Sequence, residues 1–183
     1  MRYLQHKGIM IRFTEPSNIP YRQSLLACIT LILLVTPVYF FNYGQTYGAG
    51  FQAPLFRYQD TMLGSFLVFF TNDIYQVVTG GYQGMVAYSR LIGVAGTCLM
   101  IASVILLVFD RYIRGRGTMF SGLLLMISAL VYLVSIIVHY GVLFSGPSGT
   151  AFPVGIPLFL LVGYWLYQQG KIRTHTGNIP EKE

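Results

Sequence analysis

The apolar positions of this 183-residue chain fall into long unbroken runs separated by short polar stretches. Three runs are long enough for a helix to cross the ~30 Å hydrocarbon core of a bilayer, which takes about 20 residues. They are Ser24 to Tyr43, Leu91 to Phe109 and Thr118 to Phe144. A fourth, Ala151 to Tyr167, is shorter, but Gly149 and Gly170 flank it, Trp165 and Tyr167 stand at interfacial positions, and Lys171 and Arg173 follow. The pattern predicts an all-α integral membrane protein, one domain over residues 1–183, with four transmembrane helices at about 24–43, 91–109, 118–144 and 151–167. In the last of these Pro153 fits a helix start, and Pro157 should bend the helix by removing a hydrogen bond.

The stretch "APLFRYQDTMLGSFLVFFTNDIYQVVTGG", residues 53–81, competes as a fifth span and yet carries Arg57, Asp60, Asn72 and Asp73. Only twelve residues separate Asp60 from Asp73, about 18 Å of helix. Charge gives an independent test, because Lys and Arg gather on cytoplasmic flanks. Four spans place ten of the twelve basic residues on one side, whereas a fifth would move the "DRYIRGRG" turn and the basic tail outward. Residues 44–90 are therefore expected as an external loop of a multi-pass plasma-membrane protein, with the N-terminus, the 110–117 turn and the C-terminal tail cytoplasmic. A re-entrant course for residues 62–80 remains the alternative.

Composition agrees: 54% apolar, 15% aromatic and 10% charged residues exceed what one small soluble core needs. The net charge of +6 is carried by the cytoplasmic side and reads as topology plus attraction to anionic headgroups. No stacking platform accompanies it, so nucleic acid is not an expected partner. The first run is too long for a signal-peptide core and no A-x-A site follows it, so it is expected to stay uncleaved. The segment before it, "HKGIMIRFTEPSNIPYRQ", should lie along the inner interface.

The loop itself favours strands. "FNYGQTYGAGFQAPLFRYQ" has aromatics on both sides of a Gly-Ala-Gly break, and "SFLVFFTNDIYQVVTGG" has two β-favouring runs around Thr71, Asn72 and Asp73. Each reads as a hairpin, the second turning at those three residues. Two hairpins side by side would form a small antiparallel sheet on the outer ends of the helices, with Pro54 at an edge.

This plan resembles the claudin and peripheral-myelin-protein-like tetraspan superfamily. "APLFRY" is similar to the family's Gly-Leu-Trp signature, with Leu55 and Phe56 in place of Leu and Trp, and "YSRLIGVAG" places Arg90 where the second span begins, as the family does. The resemblance covers residues 22–170 and implies a β-rich first external loop. The family's loop cysteine pair is absent. Cys28 and Cys98 are the only cysteines, they lie inside spans, and their depths differ by roughly 12 Å, which rules out a bond.

Chemistry is sparse. No Asp, Glu, Lys or Arg lies in the central part of any span, which disfavours coupled transport. His139 stands alone near the outer end of the third span and reads as an interfacial hydrogen-bonding residue, because neither His6 nor His175 shares its side. No catalytic set, phosphate loop or metal-ligand cluster is visible, so no enzyme activity, cofactor or metal is expected. Small residues remain: Ser121, Ser128 and Ser135 recur every seven positions, opposite a second span bearing Gly93 and Gly96. Such stripes let helices pack closely. Eleven aromatics lie between Tyr43 and Tyr88 with only Arg57, Asp60 and Asp73 as charges. The expected function is non-catalytic: contact with the bilayer and with other membrane-protein chains, copies of itself included, through an anchor at Leu55, Phe56, Arg57 and Tyr58. The alternative is a channel or transporter subunit.

Overall fold

Pro37 decides where the first apolar run stops being a helix. The computed structural model describes residues 19–44, 48–110 and 116–176; for 19–24 and 173–176 only the helix backbone is described. Helix α1 (Ile19–Leu33) unwinds through shorter bonds, Leu34 N to Leu31 O and Val35 N to Ile32 O, both 3.1 Å. Proline then disfavours helical backbone at Thr36 and offers no N–H of its own. Beyond it Tyr39–Asn42 is strand β1, whose residues alternate between buried and exposed.

Strands β2 (Ala49–Gln52), β3 (Phe56–Thr61) and β4 (Gly64–Phe69) follow, then helices α2 (Phe70–Val78), α3 (Gly84–Val108) and α4 (Gly117–Tyr140). A short hairpin of β5 (Ser145–Gly146) and β6 (Gly149–Phe152) leads into α5 (Gly155–Thr176). The six strands form one sheet in the order β4-β3-β2-β1-β6-β5, and every pairing is antiparallel. Two separate connections thus build one sheet, because β6 docks on β1 with Phe40 opposite Phe152 and Phe41 opposite Ala151.

The expectation of a four-span all-α bundle is overturned. The described residues form five helices and a six-stranded sheet, and among them only α3 and α4 are long and apolar enough to cross a membrane. The run at 24–43 is divided between α1 and β1, and the 15 residues of α1 rise only about 22 Å. The run at 151–167 begins as β6, and α5 turns polar at Gln168, Gln169 and Lys171. Pro157 is the third residue of α5, where an N–H has no helical partner, so no hydrogen bond is lost there.

The predicted second hairpin is also corrected. Thr71, Asn72 and Asp73 lie in α2, and the hairpin turns earlier, at Met62 and Leu63 between β3 and β4. The first hairpin turns before Gly48, closed by Tyr43 N to Gly48 O at 2.9 Å, so Ala49 and Gly50 belong to β2. Pro54 is buried in the turn between β2 and β3, not at a sheet edge. The N-terminal segment before residue 19, Arg111 and Arg114, and the tail after residue 176, for which the sequence predicts a cytoplasmic place, lie outside the described residues.

Helices α3 and α4 pack antiparallel along a polar seam. Ser89 and Ser135 exchange side-chain to main-chain hydrogen bonds of 3.0 and 2.8 Å, Ser128 Oγ donates to Gly96 O at 2.8 Å, and Ser103 Oγ donates to Ser121 O at 2.9 Å. The rungs recur every seven residues on both helices, so the backbones approach along the whole length. Gly122 does the same for α4 against α5: a Cβ there would meet Tyr167 N and Gly163 O. The outward face of α4 carries Phe120, Leu123, Ile127, Leu130 and Val134, all exposed. An outward face this apolar, with small and polar residues among those packed inside, departs from the pattern of a water-soluble helix. With the 25 and 24 residues of α3 and α4, about 36 Å or more each, this supports membrane association.

Ser128 is fully buried in this seam. Ser128→Leu is expected to lose ~1–3 kcal/mol through overpacking, whereas Leu130→Ile on the exposed face should unfold like the parent. Thermal unfolding in detergent compares the two.

Candidate functional site

Strand alternation gives the sheet two chemically different faces. Following the register across the strands, Tyr39, Gln52 and Arg57 share the inner face and are buried, as are Phe41 and Ala151 in the next row. Gly50 sits between Phe41 and Gln59 in that row, and a Cβ on it would stand 2.7 Å from Phe41 Cζ. The missing side chain is what lets the Phe41 ring lie across β2.

The other face carries a cross-strand row of large side chains: Phe152, Phe40, Phe51, Tyr58 and Leu67, each opposite the next. Phe40 and Phe51 have ring centroids 6.0 Å apart and Phe51 and Tyr58 5.7 Å, while Phe56 meets Phe51 edge-on at 5.9 Å. Phe40, Phe152 and Leu67 are 43%, 59% and 52% exposed. An open groove of about 390 Å³ runs along the row, with Asn42 and Asp60 at its margin. Aromatic pairs at these separations stabilise the sheet locally, but they do not explain why so much apolar surface is left uncovered.

The four residues predicted as one anchor are split by this alternation. Phe56 and Tyr58 belong to the open face. Leu55 packs against the core, with its N–H donating to Leu34 O at 3.3 Å. Arg57 is 3% exposed on the inner face, where its Nη2 meets Asp73 Oδ1 at 3.3 Å and Tyr82 OH at 2.9 Å. Tyr82 OH also donates to Asp73 Oδ1 at 3.2 Å, closing a triangle. Asp73 comes from α2, so the ion pair fastens that helix beneath β3.

Further polar links run from sheet to α3. Arg90 Nη1 donates to Gln52 Oε1 at 3.4 Å, and Thr97 Oγ1 donates to Pro54 O at 2.8 Å while standing 2.6 Å from Tyr132 OH. Burial pushes the Tyr39 phenol above its ordinary pKa, so it stays protonated there. Of the predicted packing residues, Ser121, Ser128, Ser135 and Gly96 form the α3–α4 seam, and a Cβ on Gly93 would stand 3.4 Å from Ser135 Oγ. His139 Nδ1 is buried without a hydrogen-bond partner, and the ring stands edge-on to Tyr140 at 4.4 Å. Among the described residues no His, Cys, Asp or Glu cluster could hold a metal ion, and Cys28 and Cys98 are free and exposed.

Sequence reasoning missed Phe40, Phe152 and Leu67 as surface residues and Asp73 with Tyr82 as the partners of Arg57. The alternation in "YFFN" was available as a signal, but it was absorbed into a helical run. No protein-family model matches this chain, and no curated protein matches it either.

Asp73→Asn leaves Arg57 buried without its counter-charge and is expected to cost ~3–5 kcal/mol of stability. Tyr82→Phe removes only hydrogen bonds and should cost ~1–2 kcal/mol. Thermal unfolding in detergent orders the two variants; equal losses would mean that the pair carries no special weight.

Proposed function

We propose that this chain is a non-catalytic membrane protein that works by contact, its open sheet face docking another membrane-protein chain, which includes a second copy of itself. The observation that carries the reading is the row Phe152, Phe40, Phe51, Tyr58 and Leu67, exposed at Phe152, Phe40 and Leu67 and half-buried between, with a groove along its four aromatics. Exposed aromatics in one contiguous strip have the composition of binding hot spots. The exposed Ile74, Tyr75 and Val78 of α2 and the Met62–Leu63 hairpin tip extend apolar surface at the β4 end.

On this reading the chain belongs in the plasma membrane with its sheet outside. Arg111, Arg114 and Arg116 between α3 and α4 favour the cytoplasm for that connection. Helix α5 runs back along α4, where a Cβ on Gly170 would touch Met119, so the C-terminal end of α5 lies on the side of that connection. The first helix ends near the sheet, where Leu34 O accepts from Leu55 N, and starts away from it, which supports a cytoplasmic start for α1. The resemblance of "APLFRY" and "YSRLIGVAG" to the claudin and peripheral-myelin-protein-like superfamily supports a β-rich external segment that recognises other chains.

Two outcomes are expected. In a background with Cys28 and Cys98 replaced by Ser, Met62→Cys should react with an impermeant thiol reagent on intact cells and Lys171→Cys should not; equal labelling would overturn the orientation. Phe40→Thr combined with Phe152→Thr keeps strand-favouring residues at both positions; it should weaken association at least ~30-fold, from ~2 kcal/mol or more per hot-spot residue, and lower the melting temperature of the detergent-purified chain only slightly. Size by chromatography with light scattering reads the first effect, and an unaltered complex would sink the docking face.

A further inference from the structure

Between the inner face of the sheet and the helix ends lies a small cavity of about 20 Å³, lined among others by Tyr39, Gln52, Asp73, Arg90 and Gly93. It has room for one small particle. The layer around it holds two buried guanidinium groups, Arg57 and Arg90, 3% and 7% exposed, and one buried carboxylate, Asp73. Asp73 Oδ1 is taken up by Arg57 and Tyr82, so two guanidinium groups share one carboxylate and the layer keeps an excess positive charge. Arg90 meets the neutral Gln52 Oε1, and its Nε is buried without a hydrogen-bond partner, as are Nε and Nη1 of Arg57 outside the cavity lining. The nearest remaining carboxylate in this part of the fold, Asp60, is exposed and bonded to Ser65.

We propose that this cavity binds a single monatomic monovalent anion of halide size, held by Arg90 Nε and the Tyr39 hydroxyl, as the counter-ion of the sheet–helix junction. A buried guanidinium without a counter-charge is strongly disfavoured, because its hydration is lost and nothing replaces it. A water molecule in the same space supplies hydrogen bonds but no charge. Donors also favour an anion. The hydroxyls of Ser89 and Ser135 are committed to each other's main-chain carbonyls, and Thr97 donates to Pro54 O. Tyr39, kept protonated by burial, lines the cavity as an O–H donor. The ion would tie β1 and α3 together at the point where Gln52 and Arg90 already meet, so halide should stabilise the junction of sheet and bundle.

The test is thermal unfolding of the full chain in detergent, titrating sodium chloride and sodium bromide against sodium gluconate at constant ionic strength. A saturable rise of roughly 4 °C or more is expected with either halide. Arg90→Gln should abolish the halide effect. Gly93→Ala keeps the charge, places a methyl group beside the cavity at an ordinary contact distance from Ser135, and should reduce the effect; it serves where Arg90→Gln does not fold. Equal melting in halide and gluconate would overturn the proposal and assign the space to water. A halide effect that persists unchanged in Gly93→Ala would place the ion elsewhere and overturn it equally.

Discussion

A charge buried between a sheet and a helix bundle must be answered within a few ångströms, and in this chain that requirement joins the two halves of the molecule. Arg57 leaves β3 on its inner face and meets Asp73 of α2 with Tyr82 across the pair. Side by side with it, Arg90 of α3 reaches Gln52 of β2, and Thr97 holds the main chain at Pro54. Once these links are made, the inward register of β2 and β3 is fixed. A one-residue slip would turn Arg57 outward and bring Phe56 and Tyr58 under the sheet.

Everything on the open face follows from that register. Because Arg57 points in, Tyr58 points out; because Phe51 faces Tyr58, and Phe40 faces Phe51, a row of large side chains crosses five strands. The row is completed by Phe152, which arrives from the far connection through β6. The apolar strip is therefore a consequence of how the sheet is anchored. Beneath it the helices pack differently: serines and glycines set the spacing of α3 and α4, while Phe120, Leu123, Ile127, Leu130 and Val134 face outward.

Much of the helical seam was legible in the sequence. Seven-residue spacing of Ser121, Ser128 and Ser135 identifies one face of a helix, and Gly96 on the partner helix accepts the central hydrogen bond. A β-rich segment between the first and second apolar runs was legible too, from its aromatic and β-branched content. The boundaries were not. Length and hydropathy alone cannot separate helix from strand in "LLVTPVYFFN", where Pro37 ends one and starts the other, and a run that continues through both looks like a single span. The same ambiguity hid α2: Phe70–Val78 has strand-like composition, but Asp73 must reach Arg57, and a helix presents that one residue inward while leaving Ile74, Tyr75 and Val78 outside. Pairing across the sheet was illegible for a different reason, since β6 lies more than a hundred residues from β1 and no local signal announces the docking of Phe152 beside Phe40.

The central claim is that the two faces of β1 have different partners, the outer one another chain and the inner one the protein's own helices. Site-specific photo-crosslinking tests it at adjacent residues. A photoreactive side chain at Phe40, on the open face, should crosslink to a second membrane-protein chain in intact membranes. The same group at Phe41, buried on the inner face, should give only crosslinks within its own chain. Intermolecular products from position 41, or none from position 40 where position 41 reacts normally within the chain, would contradict the account.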